Sequence, residues 1–135
     1  MVSVDKAVVK DNNSEVVILP HANIKWKDLR LRKRTREFLQ FVSSQHFPLY
    51  IKYIVLFGSE ARGMANVKSD IDIAIISDRP LKSDERASLD EIIHDCPVSV
   101  NYQLVFTTVD KLITAHKLDV NFSINKQGVI LYARK

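Results

Sequence analysis

Two aspartates, Asp70 and Asp72, stand one residue apart at the head of the β-branched run IDIAIIS. Side chains alternate across a strand, so both carboxylates share one face, with Cα atoms about 6.6 Å apart at a rise of about 3.3 Å per residue. Carboxylates at this spacing can converge on a divalent ion, and Mg²⁺ suits oxygen ligands that are shared with nucleotide phosphates. Two such acids would repel each other without a cation. The pair therefore predicts a magnesium site.

A Gly-Ser pair, Gly58 and Ser59, precedes Asp70 by ten intervening residues and directly follows the apolar run LYIKYIVLF. Where a strand turns into a helix, backbone N–H groups and a hydroxyl favour phosphate. Gly58 permits close approach of a phosphate, and Ser59 can donate its hydroxyl, although a helix N-cap is its ordinary role. The chain has neither GxxxxGK[ST] nor GxGxxG at this point, so neither of those phosphate sites is predicted.

The segments that must position these residues alternate between strand and helix patterns. Runs rich in β-branched and aromatic residues predict strands, and amphipathic stretches predict helices, the first over residues 27–47. This alternation predicts one α/β or α+β domain with helices packed on a sheet. We expect residues 1–50 to form an N-terminal arm and a basic amphipathic helix, and residues 51–135 to form the domain itself.

The first predicted helix carries most of the local positive charge, seven Lys and Arg residues within KWKDLRLRKRTR. A charge run of this kind is more often the solvated face of a helix, but it can also attract polyanions. Nucleic-acid binding through this surface is therefore a weaker alternative that rests on charge alone.

Composition excludes several classes of protein. The single cysteine, Cys96, cannot form an internal disulfide, and no apolar run approaches the roughly 18 residues of a membrane helix. The acidic Asp5 and the absence of a long apolar region near the N-terminus argue against a signal peptide. We therefore expect a cytoplasmic protein with no membrane partner.

Gly58-Ser59, ten intervening residues and Asp70-Ile71-Asp72 together resemble the signature of the DNA polymerase β-like nucleotidyltransferase superfamily. More closely, FGSEARG followed by SDIDIAI resembles the minimal nucleotidyltransferases, which often pair with a helical protein in toxin–antitoxin systems. The resemblance covers roughly residues 51–135. It implies a single domain with a mixed sheet flanked by helices, a nucleoside triphosphate as substrate, and Mg²⁺ as cofactor.

The resemblance also implies roles for individual residues. Asp70 and Asp72 would be the catalytic, metal-binding acids, and Gly58 and Ser59 would hold the triphosphate. Arg62 and Ser69 match further nucleotide-binding positions of the family. Arg62 can pair with a phosphate as a planar fork, and its alternative is an ordinary surface arginine.

Catalytically competent members of the superfamily usually add a third carboxylate on a neighbouring strand. The corresponding strand here, PVSVNYQLVF, offers Asn101 or Gln103 on its polar face and no acid. A neutral amide can coordinate a cation but cannot act as a general base. Asp95, just before this strand, is the alternative third acid if the register differs.

Two functions remain open on these residues. The first is a magnesium-dependent nucleotidyltransferase that moves a nucleoside monophosphate from a triphosphate to a hydroxyl acceptor on a protein or a small molecule. The second is a catalytically weakened binding module, similar to an antitoxin, that pairs with a helical partner protein. The missing third acid favours the second.

Overall fold

A computed structural model describes residues 7–11, 14–63 and 70–134, with side chains from residue 18 onward. Ser69, one of the predicted nucleotide-binding residues, lies outside the described residues. A short 3-10 helix covers Trp26–Asp28. The strands and α-helices in chain order are β1 (Ala7–Asp11), β2 (Ser14–Ile18), α1 (Lys33–Ser43), β3 (Ile51–Phe57), α2 (Gly58–Ala61), β4 (Ile71–Ser77), α3 (Ser83–His94), β5 (Tyr102–Thr108), α4 (Val109–Ile113), α5 (Val120–Gln127) and β6 (Val129–Ala133).

A mixed four-stranded sheet with the order β5-β4-β3-β6 forms the centre of the fold. β3 runs antiparallel to both β4 and β6, whereas β4 and β5 are parallel. The end of β3 and the starts of β4 and β5 therefore meet at one edge of the sheet. β1 and β2 form a separate antiparallel hairpin. The predicted mixed sheet flanked by helices is confirmed.

The sheet is buried on both faces. On one face, Ile71, Ile73 and Ile75 of β4 pack in a cluster with residues of α1 and α3, including Phe38 and Ile93. On the other face, β4 packs in a second cluster that includes Leu112 of α4 and Ile124 of α5. Burial on both faces explains why β4 is apolar at nearly every position after Asp72.

The first helix is shorter than the sequence predicts. Residues 27–47 have helical spacing of their apolar side chains, but α1 covers only Lys33–Ser43. The Arg36 guanidinium donates hydrogen bonds to the carbonyls of Lys27 and Leu29, each at 2.8 Å. In a longer helix these two carbonyls would have accepted hydrogen bonds from backbone N–H groups of the helix. Here Arg36 satisfies them, so the chain before Lys33 does not need to be α-helical.

Helix α5 was missed by the sequence interpretation. Its N-terminus is marked by Asp119, whose carboxylate accepts a hydrogen bond from the Asn121 backbone N–H at 2.8 Å. An aspartate at the N-cap and Gly128 just past the end are ordinary helix signals, and here they enclose only eight residues. The Asn125 amide then ties the helix to Leu19 and Leu112 through hydrogen bonds of 2.9 and 3.1 Å.

Candidate functional site

The turn between β3 and α2 brings Gly58 against an acid of the next strand. β3 ends at Phe57, which pairs with Asp72 of β4, and the chain then enters α2 at Gly58 with a φ of 75°. A Cβ added to Gly58 would lie 2.2 Å from Oδ2 and 3.1 Å from Cγ of Asp72. A side chain at this position would displace the carboxylate, so the Asp72 carboxylate packs directly against the Gly58 backbone.

The two aspartates differ in their surroundings. Asp70 is exposed just before β4, and Asp72 is half-buried as the second residue of the strand. Burial raises the pKa of the Asp72 carboxyl, and the negative charge of Asp70 raises it further, whereas the Arg62 guanidinium lowers it. Asp70 and Arg62 therefore act on the Asp72 carboxyl in opposite directions.

Arg62 lies at the C-terminal end of α2 and is exposed. Its Nη1 donates a hydrogen bond to Oε1 of Gln127, the last residue of α5, at 3.3 Å. Ser59, the second residue of α2, is half-buried beside Gly58. The structure therefore brings Gly58, Asp72 and Arg62 together, with Asp70 and Ser59 next to them in the chain.

The sequence model of the family described as Polymerase beta, Nucleotidyltransferase matches residues 40–135 of the chain. The chain belongs to this family. That assignment confirms the superfamily predicted from Gly58-Ser59 and Asp70-Ile71-Asp72. A comparison with curated proteins finds no match.

Two solved structures are similar to this nucleotidyltransferase-family chain. One is a protein from Sulfolobus solfataricus assigned as a nucleotidyltransferase, at 16% identity and a TM-score of 0.46, covering 78% of this chain and 91% of its own. The other is a toxin–antitoxin structure with AMP-PNP, at 21% identity and a TM-score of 0.48, covering 77% of this chain and 76% of its own. Among the helices described for the chain, none is long and apolar enough to cross a membrane.

The family's divalent metal requires oxygen donors, and the acid pair fits this requirement by its chemistry. Carboxylate oxygens are hard ligands that Mg²⁺ prefers, and a cation would relieve the repulsion that contributes to the raised pKa of Asp72. Within the described part of the chain, no group of three or more His, Cys, Asp or Glu side chains is arranged to hold a metal ion. Mg²⁺ is commonly bound by one or two carboxylates together with phosphate oxygens and water.

The neighbouring strand places a neutral amide next to Asp72 of this nucleotidyltransferase fold. Gln103 of β5 is the register partner of Asp72, and directly opposed residues of adjacent strands share a face. Asn101 lies just before β5, and its backbone carbonyl accepts a hydrogen bond from the Ile71 N–H at 2.9 Å. Asp95 forms the C-cap of α3, before β5 begins. Of the two amides that the sequence left open, Gln103 is therefore the one paired with Asp72.

Sequence reasoning missed Glu60, which follows Ser59 in α2. Glu60 is only 1% exposed, and its carboxylate accepts hydrogen bonds from Arg32 Nη2 and, at 3.1 Å, from Thr35 Oγ1. An acid in a short polar turn carries no local signal of burial. Arg32, which the sequence assigned to a basic surface, therefore has a buried carboxylate as partner and joins α2 to the start of α1.

Proposed function

We propose that the chain binds a magnesium nucleoside triphosphate at the sheet edge and transfers its nucleoside monophosphate to a hydroxyl on a protein or a small molecule. One observation supports this most directly. The Asp72 carboxylate packs against Gly58, within range of the charges of Asp70 and Arg62. A metal-bound triphosphate needs a glycine turn that its phosphates can approach, acids that hold the metal, and a positively charged side chain such as that of Arg62.

Asp70 and Asp72 would hold Mg²⁺, which on binding neutralises charge on the phosphate oxygens. The N–H groups of Gly58 and Ser59 face the phosphates in this proposal, and the Arg62 guanidinium pairs with phosphate oxygens as a planar fork. Ser69 is a further proposed contact from the resemblance. In the transfer, the acceptor oxygen bonds to the α-phosphorus, the bond from that phosphorus to the bridging oxygen breaks, and pyrophosphate leaves. The hydroxyl proton passes to a base or to solvent.

A second function is favoured by one specific observation, the pairing of Asp72 with Gln103. An amide cannot take the proton of the acceptor hydroxyl, and a positioned general base contributes about 10²–10⁴-fold to a rate. Under this proposal the chain binds the nucleotide with slow or absent transfer. It acts as a module that pairs with a helical partner protein, in the manner of an antitoxin.

The test separates binding from transfer. Calorimetric titration with Mg·ATP measures binding, and incubation with each labelled triphosphate, Mg²⁺ and cell lysate reveals a labelled acceptor. The double variant Asp70→Asn, Asp72→Asn should lose magnesium-dependent binding while staying folded, because it removes charge at nearly constant shape. The matched control is Asp78→Asn with Asp84→Asn, two exposed acids beyond the other end of β4. Unchanged binding in the first variant would refute the site.

A further inference from the structure

A cavity of about 410 Å³ lies between the start of α1 and the segment that leads into β5. We call it the basic cavity. Its lining includes Arg32, Lys33, Arg34, Ile71, Ser99 and Asn101. Its volume falls within the range of small-molecule sites, about 300–1,000 Å³.

The lining of the basic cavity contains three cations and no acid. Arg32 is neutralised by the buried Glu60. Lys33 and Arg34 are exposed, and neither makes an ion pair within the described residues. Arg34 Nη1 donates one hydrogen bond to the Ser99 carbonyl, at 2.9 Å. A guanidinium has five N–H donors, so others can contact a ligand. Two uncompensated cations at a cavity wall favour an anionic ligand, and the guanidinium geometry suits phosphate.

The basic cavity and the acid pair are linked through Ile71, at the end of the sheet where β4 begins. Ile71 lines the cavity and stands between Asp70 and Asp72 in the chain, where consecutive Cα atoms are about 3.8 Å apart. Ile71 packs with the α1 side, and alternation along β4 turns Asp72 to the opposite face. A ligand in the cavity therefore reaches the acids only if it extends around the end of the sheet past Ile71.

We propose that the basic cavity binds a phosphate ester carried by the acceptor. The acceptor of the transfer is then a small phosphate ester; a nucleic-acid strand carries the same phosphate group and is the other source that the test distinguishes. Its phosphate is held by Lys33 and Arg34, and its hydroxyl extends to the sheet edge. The role as acceptor rests on the proposed function, whereas phosphate binding in the basic cavity does not.

The test uses the full chain with Asp70→Asn and Asp72→Asn, so that magnesium-dependent binding at the acid pair is removed. Uridine 5′-monophosphate, uridine and a single-stranded pentauridylate are titrated calorimetrically. The two phosphate-bearing probes should bind, and uridine should not. Adding Lys33→Gln with Arg34→Gln should weaken phosphate binding about tenfold or more, because each charge-assisted contact contributes strongly to affinity.

The matched control adds Lys111→Gln with Lys117→Gln, which removes the same charge from two exposed lysines at α4 and after it. This control should leave binding unchanged. For the pentauridylate, losing two phosphate contacts should also make the slope of log K against log salt shallower by about 1.4, at about 0.7 per contact for single strands. Comparable affinity of both phosphate probes identifies a small ester as the ligand, and much tighter binding of the pentauridylate identifies a strand.

Phosphate binding in the basic cavity and nucleotide binding at the acid pair can fail independently, and different results identify each failure. The basic cavity is not a phosphate site if neither phosphate probe binds more tightly than uridine. The same conclusion follows if the Lys111 and Lys117 control loses as much affinity for the phosphate probes as the Lys33 and Arg34 variant does. In the otherwise unchanged chain, Lys33→Gln with Arg34→Gln should retain Mg·ATP binding and lose transfer to phosphorylated acceptors. Loss of Mg·ATP binding in that variant would show that these cations serve the triphosphate, which also overturns the cavity proposal but supports nucleotide binding.

Discussion

Replacing Gly58 by alanine tests the geometry on which the site depends. The φ of 75° at Gly58 costs an alanine about 1–2 kcal/mol, because a Cβ in the left-handed region crowds the carbonyl oxygen. The new Cβ would also lie 2.2 Å from Asp72 Oδ2, against an ordinary C···O separation of about 3.3–3.6 Å. The carboxylate must therefore move by about 1 Å, and such overpacking costs about 1–3 kcal/mol.

The expected result for Gly58→Ala is a fall of about 2–5 kcal/mol in the free energy of unfolding, from the sum of these two costs. Urea unfolding measures this loss. Displacing a charged ligand group should also weaken Mg·ATP binding about 10- to 100-fold, since such contacts contribute about 1.5–3 kcal/mol. Calorimetry with a non-hydrolysable ATP analogue measures that effect.

Gly63→Ala is the matched control, because the chain offers a second glycine with nearly the same backbone. Gly63 has a φ of 70°, and an added Cβ would meet nothing within 4 Å among the described residues. Gly63→Ala should lower the free energy of unfolding only by the cost of an alanine at a positive φ, and it should leave nucleotide binding intact. In an Asp72→Gly background, the stability cost of Gly58→Ala should fall to that of Gly63→Ala. Equal losses from the two alanine substitutions in the otherwise unchanged chain, with nucleotide binding retained in both, would refute the reasoning.

Three further results are expected. The folded-state pKa of Asp72 is raised above 3.8, so Mg·ATP binding should weaken on acidification already above that pH. The folding stability of the protein falls as pH rises through this raised pKa, because ionising the carboxyl costs more in the folded state than in the unfolded chain. Asp72→Asn should therefore unfold at a higher urea concentration at pH 7. Gln103→Glu should increase the rate of labelled-nucleotide transfer about 10²–10⁴-fold. If the rate does not rise, the lack of a base beside Asp72 is not what limits transfer. Arg32→Ala, which leaves the buried Glu60 with only part of its hydrogen bonding, should lose about 2–3 kcal/mol in urea unfolding, while the exposed Arg30→Ala should lose almost nothing.

The sequence by itself determined the local features of the site. Alternation along a strand is set by backbone geometry, so the sequence predicts that Asp70 and Asp72 share a face; in the structure Asp72 is the second residue of β4 and Asp70 lies just before the strand. The Gly58-Ser59 turn follows from a β-branched run that stops at a glycine, and the structure has a strand-to-helix turn there. The lack of an acid on the strand containing Gln103 is equally a property of residue type alone. These features depend on few residues that are close in the chain.

Only the tertiary structure decided which distant residues meet. Arg32 and Glu60 are 28 positions apart, and Arg62 and Gln127 are 65 apart. No periodicity in the sequence distinguishes an arginine that reaches a buried carboxylate from one in a solvated charge run, since both occupy the same pattern. The choice of Gln103 as the partner of Asp72 also required the register of two parallel strands, which is set by packing on both faces of the sheet and not by either strand alone.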